Sequence, residues 1–228
     1  MYVADLRKVI RHFTAERLWG AYGQGEAPCT ITHIPVGEYG NTARTDYDEL
    51  LGSVGVPRTG VEVRVVDDDD NPLPVGNIGE VIVRGDVVMQ GYWQLPEASA
   101  ATLKGGWLHT GDLGRVGETG LLTLVDRSKD MIISGGTNIY PREIEEVLLQ
   151  HSSVKEAAVI GVPDQEWGEQ PVAFVVVREE IDAVTLDAYC MENMARFKRP
   201  KAYHFVEELP RSSYGKILKS ALCELIDS

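Results

Sequence analysis

The residues best suited to chemistry include a polar stretch that separates two apolar runs in the second half of the chain. The apolar run at residues 121–125 ends at a charged segment, and a second apolar run, residues 131–133, begins beyond it. Such a polar break is typical of a boundary between domains. Gly135 and Gly136 follow, where a backbone can approach a neighbour or a ligand closely. The stretch predicts a hinge followed by a flexible, ligand-accessible loop.

Three further segments carry residues that often bind or react, although each has an ordinary interpretation when taken alone. Residues 18–28 are dense in glycine and contain Tyr22 and Glu26, a pattern typical of a loop. Asp112 beside a glycine is typical of an aspartate that caps a turn. Lys216 lies at the predicted start of a helix, near the positive end of the helix dipole, so the simplest interpretation is a solvated lysine.

Together these segments resemble the motifs of the adenylate-forming enzymes, which include acyl-CoA synthetases, aryl-CoA ligases, luciferases and peptide-synthetase adenylation domains. The matching strings lie in family order at residues 22–26, 110–112, 126–145 and 210–217. They spread over nearly the whole chain, which is similar to roughly the C-terminal half of such an enzyme.

The resemblance implies a role for each matching residue near ATP. Tyr22 would stack on adenine, and Glu26 would help to hold Mg²⁺. Asp112 would accept hydrogen bonds from both ribose hydroxyls, a task that suits an acceptor-only carboxylate. Arg127 would hold ribose or phosphate. Gly25 stands where the family usually has threonine, so a hydroxyl contact to the α-phosphate is missing from the expected set.

The implied reaction has two halves. A carboxylic acid first attacks ATP to give an acyl adenylate and pyrophosphate, and a thiol then displaces AMP. Lys216 would bridge the substrate carboxylate and the α-phosphate during the first half. Lys129 matches the hinge position, where changed backbone dihedrals would exchange the face that carries Lys216 for the face that carries Gly135 and Gly136.

Two later segments resemble those that bind CoA in certain aryl-CoA ligases. Trp167 and Phe197 would sandwich the CoA adenine, while Arg199 and Lys201 would bind its phosphates. The alternative is that both aromatic residues belong to the core and that the basic run is a solvated loop. This set of two aromatic and two basic residues favours free CoA over a carrier protein as the expected thiol, and the expected lack of a carrier-protein segment after Ser228 points the same way.

Apolar periodicity predicts the elements that must position these groups. An amphipathic helix spans residues 1–10, and alternating valines within residues 60–84 predict a hairpin. Residues 107–114 are expected to connect strands at 87–89 and 121–125. Beyond the hinge, the predicted helices and strands are, in order, helix 141–150, strands 157–162 and 171–177, helix 186–197, strand 202–206 and helix 217–226. The last helix would turn residues 217, 218, 221, 222 and 225 inward.

The predicted fold class is α/β plus α+β. The resemblance implies that residues 1–128 are the C-terminal portion of a large N-terminal domain, with a β-rich subdomain from about residue 30 to residue 128. Residues 129–228 would form a small mobile α+β domain with one sheet covered by helices. Because the first helix reads as an interior segment, the upstream remainder of the same enzyme is an expected partner.

Composition limits the classes of function. A net charge of −13 over 228 residues argues against nucleic-acid binding. Cys29, Cys190 and Cys223 are widely spaced, which favours neither a disulfide framework nor a zinc site. With no signal peptide and no run near about 18 apolar residues, a cytoplasmic protein without a membrane span is expected. Residues 67–70, four aspartates, predict a solvated hairpin loop, with a calcium site as the lesser alternative. A homodimer is compatible with these features.

The resemblance to the adenylate-forming enzymes implies that the full protein is an AMP-forming acid–CoA ligase. Its substrates would be a small-molecule carboxylic acid, ATP and CoA, with Mg²⁺ as cofactor, and this chain alone would bind nucleotide weakly without turnover. Two alternatives stay open: a non-catalytic nucleotide- or CoA-binding module, and an adenylation domain that serves a carrier protein. Fatty, aromatic and short acids all remain candidate substrates.

Overall fold

The computed structural model describes residues 2–226, and the chain divides into two compact units between Ser128 and Lys129. Residues 1, 227 and 228 of the predicted first helix and second domain lie outside the described residues. The residues up to 128 are called the first unit below, and those from 129 the second unit. Each unit has its own apolar core and its own sheets.

Within residues 2–128, the first unit contains two antiparallel sheets and three α-helices. In chain order, its elements are α1 (Val3–His12), β1 (Gly20–Gln24), β2 (Ala27–Ile34), α2 (Tyr47–Gly52), β3 (Val56–Pro57), β4 (Glu62–Val66), β5 (Gly79–Arg84), α3 (Pro96–Thr102), β6 (Leu108–Val116) and β7 (Leu122–Arg127). One sheet has the order β1-β2-β3 and the other the order β4-β5-β6-β7.

Alternation of apolar residues explains why these strands form where they do. Val61 and Val65 before and in β4, with Val81 and Val83 in β5, are buried in one cluster, which confirms the predicted hairpin. Tyr22 and Ile31 of the other sheet join the same cluster. The side chain of Tyr22 therefore lies in the core of the first unit. The first helix is also confirmed, and Leu6 is its buried residue.

Three predictions for the first unit are wrong. Residues 18–28, predicted as a loop, are mostly the β1–β2 hairpin. Residues 107–114, predicted as a connection, belong largely to β6, where Leu108, Thr110 and Asp112 alternate inward. Residues 87–89, predicted as a strand, form a turn in which Val88 N–H donates to the Gly85 carbonyl at 3.1 Å. A short apolar run has no strand period of its own, and here the turn prevails.

The second unit is built on one mixed sheet. In chain order, its elements are β8 (Ile132–Ser134), β9 (Thr137–Ile139), α4 (Pro141–Leu148), β10 (Val154–Asp164), β11 (Gly168–Val177), α5 (Ala183–Asn193), β12 (Ala202–Phe205) and α6 (Lys219–Ile226). The sheet has the order β10-β11-β8-β9, and β12 pairs in parallel with β11. Successive residues of β10 point to opposite faces, so Val159 joins one apolar cluster and Ile160 the other.

Two helix boundaries differ from prediction. Helix α5 begins at Ala183 because the Asp182 carboxylate accepts from Thr185 N–H at 2.8 Å and caps it. Helix α6 begins at Lys219, since Ile217 is held in a β-bridge to Arg211. Leu218 and Leu225, both predicted to face inward, are exposed, and Leu222 is the buried residue of this helix.

The structure as a whole is mixed α/β with several antiparallel sheets, which agrees with the predicted class at that level. Among residues 2–226, no helix combines the length and the apolarity that crossing a bilayer requires. Cys190 and Cys223 are free thiols. The side chain of Cys29 lies outside the described part of the chain.

Candidate functional site

Asp112 is the centre of a buried polar cluster in the first unit. The Tyr22 hydroxyl donates to Asp112 Oδ2 at 2.5 Å, and Gln24 Nε2 donates to the same oxygen at 2.7 Å. Arg127 Nε lies 2.7 Å from Asp112 Oδ1. Asp112 is only 6% exposed, whereas the Arg127 side chain is half-exposed. One carboxylate is thus held by three groups, with the arginine at its solvent side.

Strand geometry explains why these residues meet. Tyr22 and Gln24 are two residues apart on β1 and therefore share one face of that strand. Asp112 on β6 is the register partner of Arg127, the last residue of β7. The site thus collects one residue pair from each sheet of the first unit. A capped turn, the ordinary interpretation of Asp112, is wrong.

The electrostatics of this cluster keep Tyr22 protonated. Burial raises the pKa of Tyr22 well above its ordinary value of 10.0, and the charge of Asp112 beside it raises the pKa further. The hydroxyl therefore stays a donor to the carboxylate at physiological pH. Since Tyr22 is 8% exposed, its ring is mostly packed in the core, and stacking of this ring on adenine stays a prediction.

Glu26 lies at the turn between β1 and β2, separate from the hydrogen bonds of Asp112. The Tyr92 hydroxyl donates to Glu26 Oε1, and the Glu26 carbonyl accepts from Met89 N–H at 2.8 Å. Gly25 beside it faces open space, because an added Cβ would meet nothing within 4 Å. Among the described side chains of residues 2–226, which leave out Cys29, no group of three or more His, Cys, Asp or Glu could hold a metal ion. Glu26 thus offers one half-buried carboxylate.

Lys216 lies in a tied loop of the second unit and not at a helix start as predicted. Ser212 N–H donates to the Lys216 carbonyl at 2.8 Å, and Arg211 donates to the Gly215 carbonyl at 2.8 Å. Arg211 also pairs with Glu156, which fixes the base of the loop to β10. The Lys216 side chain is exposed, and within the described chain no side chain pairs with it. The loop presents a free ammonium group on a fixed base.

Gly135 and Gly136 form the turn between β8 and β9. Their φ angles are +56° and +77°, as the two central positions of a type I′ hairpin turn require. Gly135 N–H donates to the Trp167 carbonyl at 2.8 Å, and an added Cβ on Gly135 would lie 2.7 Å from the Trp167 ring. The structure therefore brings this turn and Trp167 together.

The two aromatic residues predicted to hold CoA are not core residues. Trp167 is 52% exposed and Phe197 is 51% exposed, so the core alternative is wrong. The two cations predicted to bind the CoA phosphates, Arg199 and Lys201, differ in pairing and exposure. The Arg199 guanidinium pairs with Asp187 and is mostly buried, whereas Lys201 is exposed. Lys201 is therefore the freer of the two for a phosphate.

Lys129, the predicted hinge residue, is exposed and lies in the short 3-10 turn Ser128–Asp130, at the division between the units. A rotation about this residue stays a prediction.

Sequence reasoning missed two contacts, that of Gln24 with the Asp112 carboxylate and that of Tyr92 with the Glu26 carboxylate. The signal for Gln24 was present, because a polar residue two positions after Tyr22 shares its face in a strand. Reading the segment as a loop concealed that period. No local signal identifies Tyr92, since its partner is 66 residues away.

Comparison with known proteins shows which family the chain belongs to. Residues 1–93 match the AMP-binding enzyme family, and residues 143–216 match the AMP-binding enzyme C-terminal domain. The long-chain-fatty-acid–CoA ligase of Salmonella typhimurium is 47% identical over 180 residues, which are 78% of this chain and 32% of that ligase. The chain thus spans about a third of the length of this curated relative.

Two solved structures superpose over nearly the whole chain. The o-succinylbenzoate CoA synthetase of Bacillus subtilis, in complex with its acyl-adenylate intermediate, has a TM-score of 0.85 and 34% identity, covering 97% of this chain and 43% of that one. That synthetase is also known in complex with ATP and a magnesium ion. The amide bond synthetase McbA of Marinactinospora thermotolerans has a TM-score of 0.87 and 38% identity, with coverages of 98% and 45%.

Proposed function

The chain belongs to the adenylate-forming, AMP-binding enzymes, and on that premise we propose that the full protein activates a carboxylic acid with ATP and transfers the acyl group to CoA. The Asp112 cluster is the observation that carries the proposal. A carboxylate held by Tyr22, Gln24 and Arg127 is fixed in position before any ligand arrives. Three of the roughly four lone-pair sites of this carboxylate are occupied, which leaves one for a ribose hydroxyl, and the half-exposed arginine beside it suits a phosphate.

Mg²⁺ is proposed as the metal of the first half-reaction. The one carboxylate of Glu26 fits a Mg²⁺ that is shared with nucleotide phosphates, because such ions are usually bound by one or two carboxylates plus phosphate oxygens. When bound, the ion would neutralise phosphate charge. Tyr92 would orient the Glu26 carboxylate through its hydroxyl.

Lys216 is the proposed catalytic residue of acid activation. A compact ammonium charge can stabilise the negative charge that gathers as the carboxylate attacks the α-phosphorus. Its exposure and its lack of a side-chain partner among residues 2–226 support this role, since no protein contact must break before it reaches a ligand. The step forms an acyl–phosphate bond and releases pyrophosphate.

CoA is the proposed acceptor. The β8–β9 glycine turn and the exposed rings of Trp167 and Phe197 lie in the second unit, and Lys201 adds an exposed cation. A turn without side chains, open at Gly136, suits a narrow pantetheine arm, and flat aromatic surfaces suit the adenine of the head group. Lys129 is the proposed hinge, and the chain alone is expected to bind nucleotide weakly without turnover.

The acid is proposed from the relatives. A long-chain fatty acid leads, because the Salmonella typhimurium relative is a long-chain-fatty-acid–CoA ligase, and an aromatic acid such as o-succinylbenzoate is second. The likeness to an amide bond synthetase makes an amine the acceptor to test beside CoA.

The test is acid-dependent ATP–pyrophosphate exchange and CoA-thioester formation by the full-length protein, with long-chain, aromatic and short acids. The proposal expects exchange with one class of acid and a thioester product from it. Exchange without thioester, but with transfer to an amine or a carrier protein, would overturn the choice of CoA. Absence of exchange with every acid would reject acid activation in favour of a nucleotide- or CoA-binding module.

A further inference from the structure

The segment that carries Asp112 does not follow the regular ladder of its sheet. Glu80 of β5 pairs with Leu113 of β6, and Ile82 pairs with His109. One residue of β5, Val81, separates these two pairs, whereas three residues of β6 separate them. Val81 therefore lies opposite residues 110–112. This is a β-bulge, and its middle residue is Gly111, with a φ of +66°. Bulges often re-aim a side chain, and here the side chain is that of Asp112.

Backbone groups within a bulge lose their ladder partners and must find others. Here side chains supply them. Thr110 Oγ1 donates to the Val81 carbonyl at 2.6 Å and accepts from Asp112 N–H at 3.1 Å. Gln24 Nε2 donates to the Thr110 carbonyl at 2.9 Å. Gly111 N–H remains, and it donates to Glu80 Oε1 at 2.9 Å.

Glu80 itself is held by a second group on β6. His109 Nδ1 lies 2.9 Å from Glu80 Oε2, so the two carboxylate oxygens contact two residues that flank Thr110. On its other side, His109 Nε2 lies 3.8 Å from Asp70 Oδ1, and Asp70 pairs with Lys104 at 2.7 Å. Glu80 thus holds both ends of this part of the bulge, and the loop before β5 supports it through the contact of Asp70 with His109.

We propose that Glu80, braced by His109, is a positioning residue that holds the bulge in the shape from which Asp112 meets the ribose of the nucleotide. The inference rests on the proposed function, because it takes Asp112 as the ribose ligand. Glu80 touches no reacting atom in this account. It acts by satisfying Gly111 N–H, which otherwise would be left unpaired next to a buried carboxylate.

Two substitutions at this position separate the hydrogen bond from the shape of the side chain. Glu80→Met keeps the length and removes both acceptors. Glu80→Gln keeps one oxygen that can accept from Gly111 N–H. Glu62→Ala is the matched control, because Glu62 lies on the neighbouring strand and pairs with Arg84 at the surface. Asp112→Ala reports on the ribose contact itself.

The first measurement is the KM for ATP and for 2′-deoxy-ATP, with kcat, in the full-length protein. Glu80→Met should raise the KM for ATP about 10-fold and shrink the preference for ATP over the deoxy analogue, with kcat changed less. Glu80→Gln should stay within about 3-fold of the parent, and Glu62→Ala should not change. Equal behaviour of Glu80→Met and Glu80→Gln, or an unchanged KM in both, would overturn the inference.

Failure of the proposed function looks different. If Asp112→Ala leaves the KM for ATP and the deoxy preference unchanged, Asp112 does not bind the ribose, and the proposed nucleotide site fails with it. If Asp112→Ala acts as expected and Glu80→Met does not, only the positioning role fails.

Hydrogen exchange supplies a readout that needs no reaction. In Glu80→Met the Gly111 amide should exchange about 10-fold faster than in the parent, while Glu80→Gln protects it. Should Glu80→Met not fold, His109→Leu leaves the glutamate in place and frees its second oxygen. A smaller increase at Gly111, about 3-fold, is then expected, and unchanged exchange would overturn the brace.

Discussion

Two regions of the chain carry the groups that matter for the proposed chemistry, and they are built in opposite ways. Asp112 is buried, and its carboxylate is held by Tyr22, Gln24 and Arg127. Lys216 is exposed, and its ammonium has no side-chain partner within residues 2–226. Both nevertheless sit on a fixed backbone, a clamped bulge in one case and a tied loop in the other.

The difference in burial and pairing matches the different roles proposed for Asp112 and Lys216. A group that must recognise a ligand the same way in every step gains from preorganisation, since no reorganisation is then needed on binding. A group that acts in one step and then moves away from the ligand gains from having no protein partner, because no contact must be broken or formed again. The burial and pairing of the two charges therefore agree with a stationary nucleotide contact and a transient catalytic one.

Lys216→Ala should have the largest effect on activity. Loss of the charge that stabilises the attack is expected to lower acid-dependent ATP–pyrophosphate exchange by about 10²-fold or more. The thermal midpoint should stay that of the parent, because the side chain is exposed and unpaired in the described chain. Lys155→Ala removes an exposed lysine of the same unit and is the control. A large drop in the thermal midpoint would show that Lys216 stabilises the fold, and its contrast with Asp112 would then not hold.

Asp112→Asn should affect both affinity and stability. The change leaves the donors of Tyr22, Gln24 and Arg127 facing a neutral amide, so the KM for ATP should rise about 10- to 100-fold and the free energy of unfolding should fall by about 1–3 kcal/mol. Enzyme kinetics and denaturant unfolding measure the two effects. Asp86→Asn, an exposed aspartate of the same unit, should change neither. A loss of affinity without any loss of stability would contradict the picture of a preorganised cluster.

Gly135→Ala and Gly136→Ala compare the two glycines of the β8–β9 turn in the second unit. Both positions have positive φ, so backbone strain should cost each variant about 1–2 kcal/mol of stability, and Gly135→Ala should lose more than Gly136→Ala. Only at Gly135 would the new Cβ press on the Trp167 ring, since the same atom at Gly136 meets nothing within 4 Å. Thioester formation should therefore fall about 10-fold further in Gly135→Ala, while pyrophosphate exchange stays similar in the two. Equal thioester rates would remove Trp167 and this turn from the CoA site.

The smallest effect is expected from the pKa of Tyr22. Because burial and Asp112 raise the folded-state pKa above the unfolded value of about 10, this tyrosine contributes fully below pH 10 and its contribution is lost as the pH rises beyond it. Between pH 8 and pH 11, the parent should lose about 1.4 kcal/mol more unfolding free energy than Tyr22→Phe. Denaturant unfolding at both pH values measures this difference, and parallel losses would mean that Tyr22 is not held as a protonated donor.

Sequence reasoning identified the residues that lie at the centre of the candidate site but not those that hold them. Tyr22, Asp112 and Arg127 were found through short strings, and the structure brings these three together. Glu80 and Tyr92 were missed because their roles depend on register and on a turn, which contact residues far along the chain. Local patterns carry strand and helix periods, whereas cross-strand partners follow only from the assembled sheet.

Element boundaries show the same limit. The hairpin of valines was predictable from alternation, and β10 and β11 of the second unit from their apolar runs. The start of α6 was not, because Ile217 has the apolar spacing of the helix but is paired with Arg211 in a bridge. That single difference moves Lys216 from a helix terminus to a loop, where the helix dipole no longer opposes its charge.

The central claim is that Lys216 serves one half of the reaction only. The most direct test supplies preformed acyl adenylate and CoA to the full-length Lys216→Ala variant and measures thioester formation beside pyrophosphate exchange. The account predicts thioester formation within about 3-fold of the parent although exchange is lost by about 10²-fold or more. Loss of both activities to the same extent would contradict it, because Lys216 would then be needed in both half-reactions. The second unit would not have to replace the face that carries Lys216 by the face that carries Gly135 and Gly136.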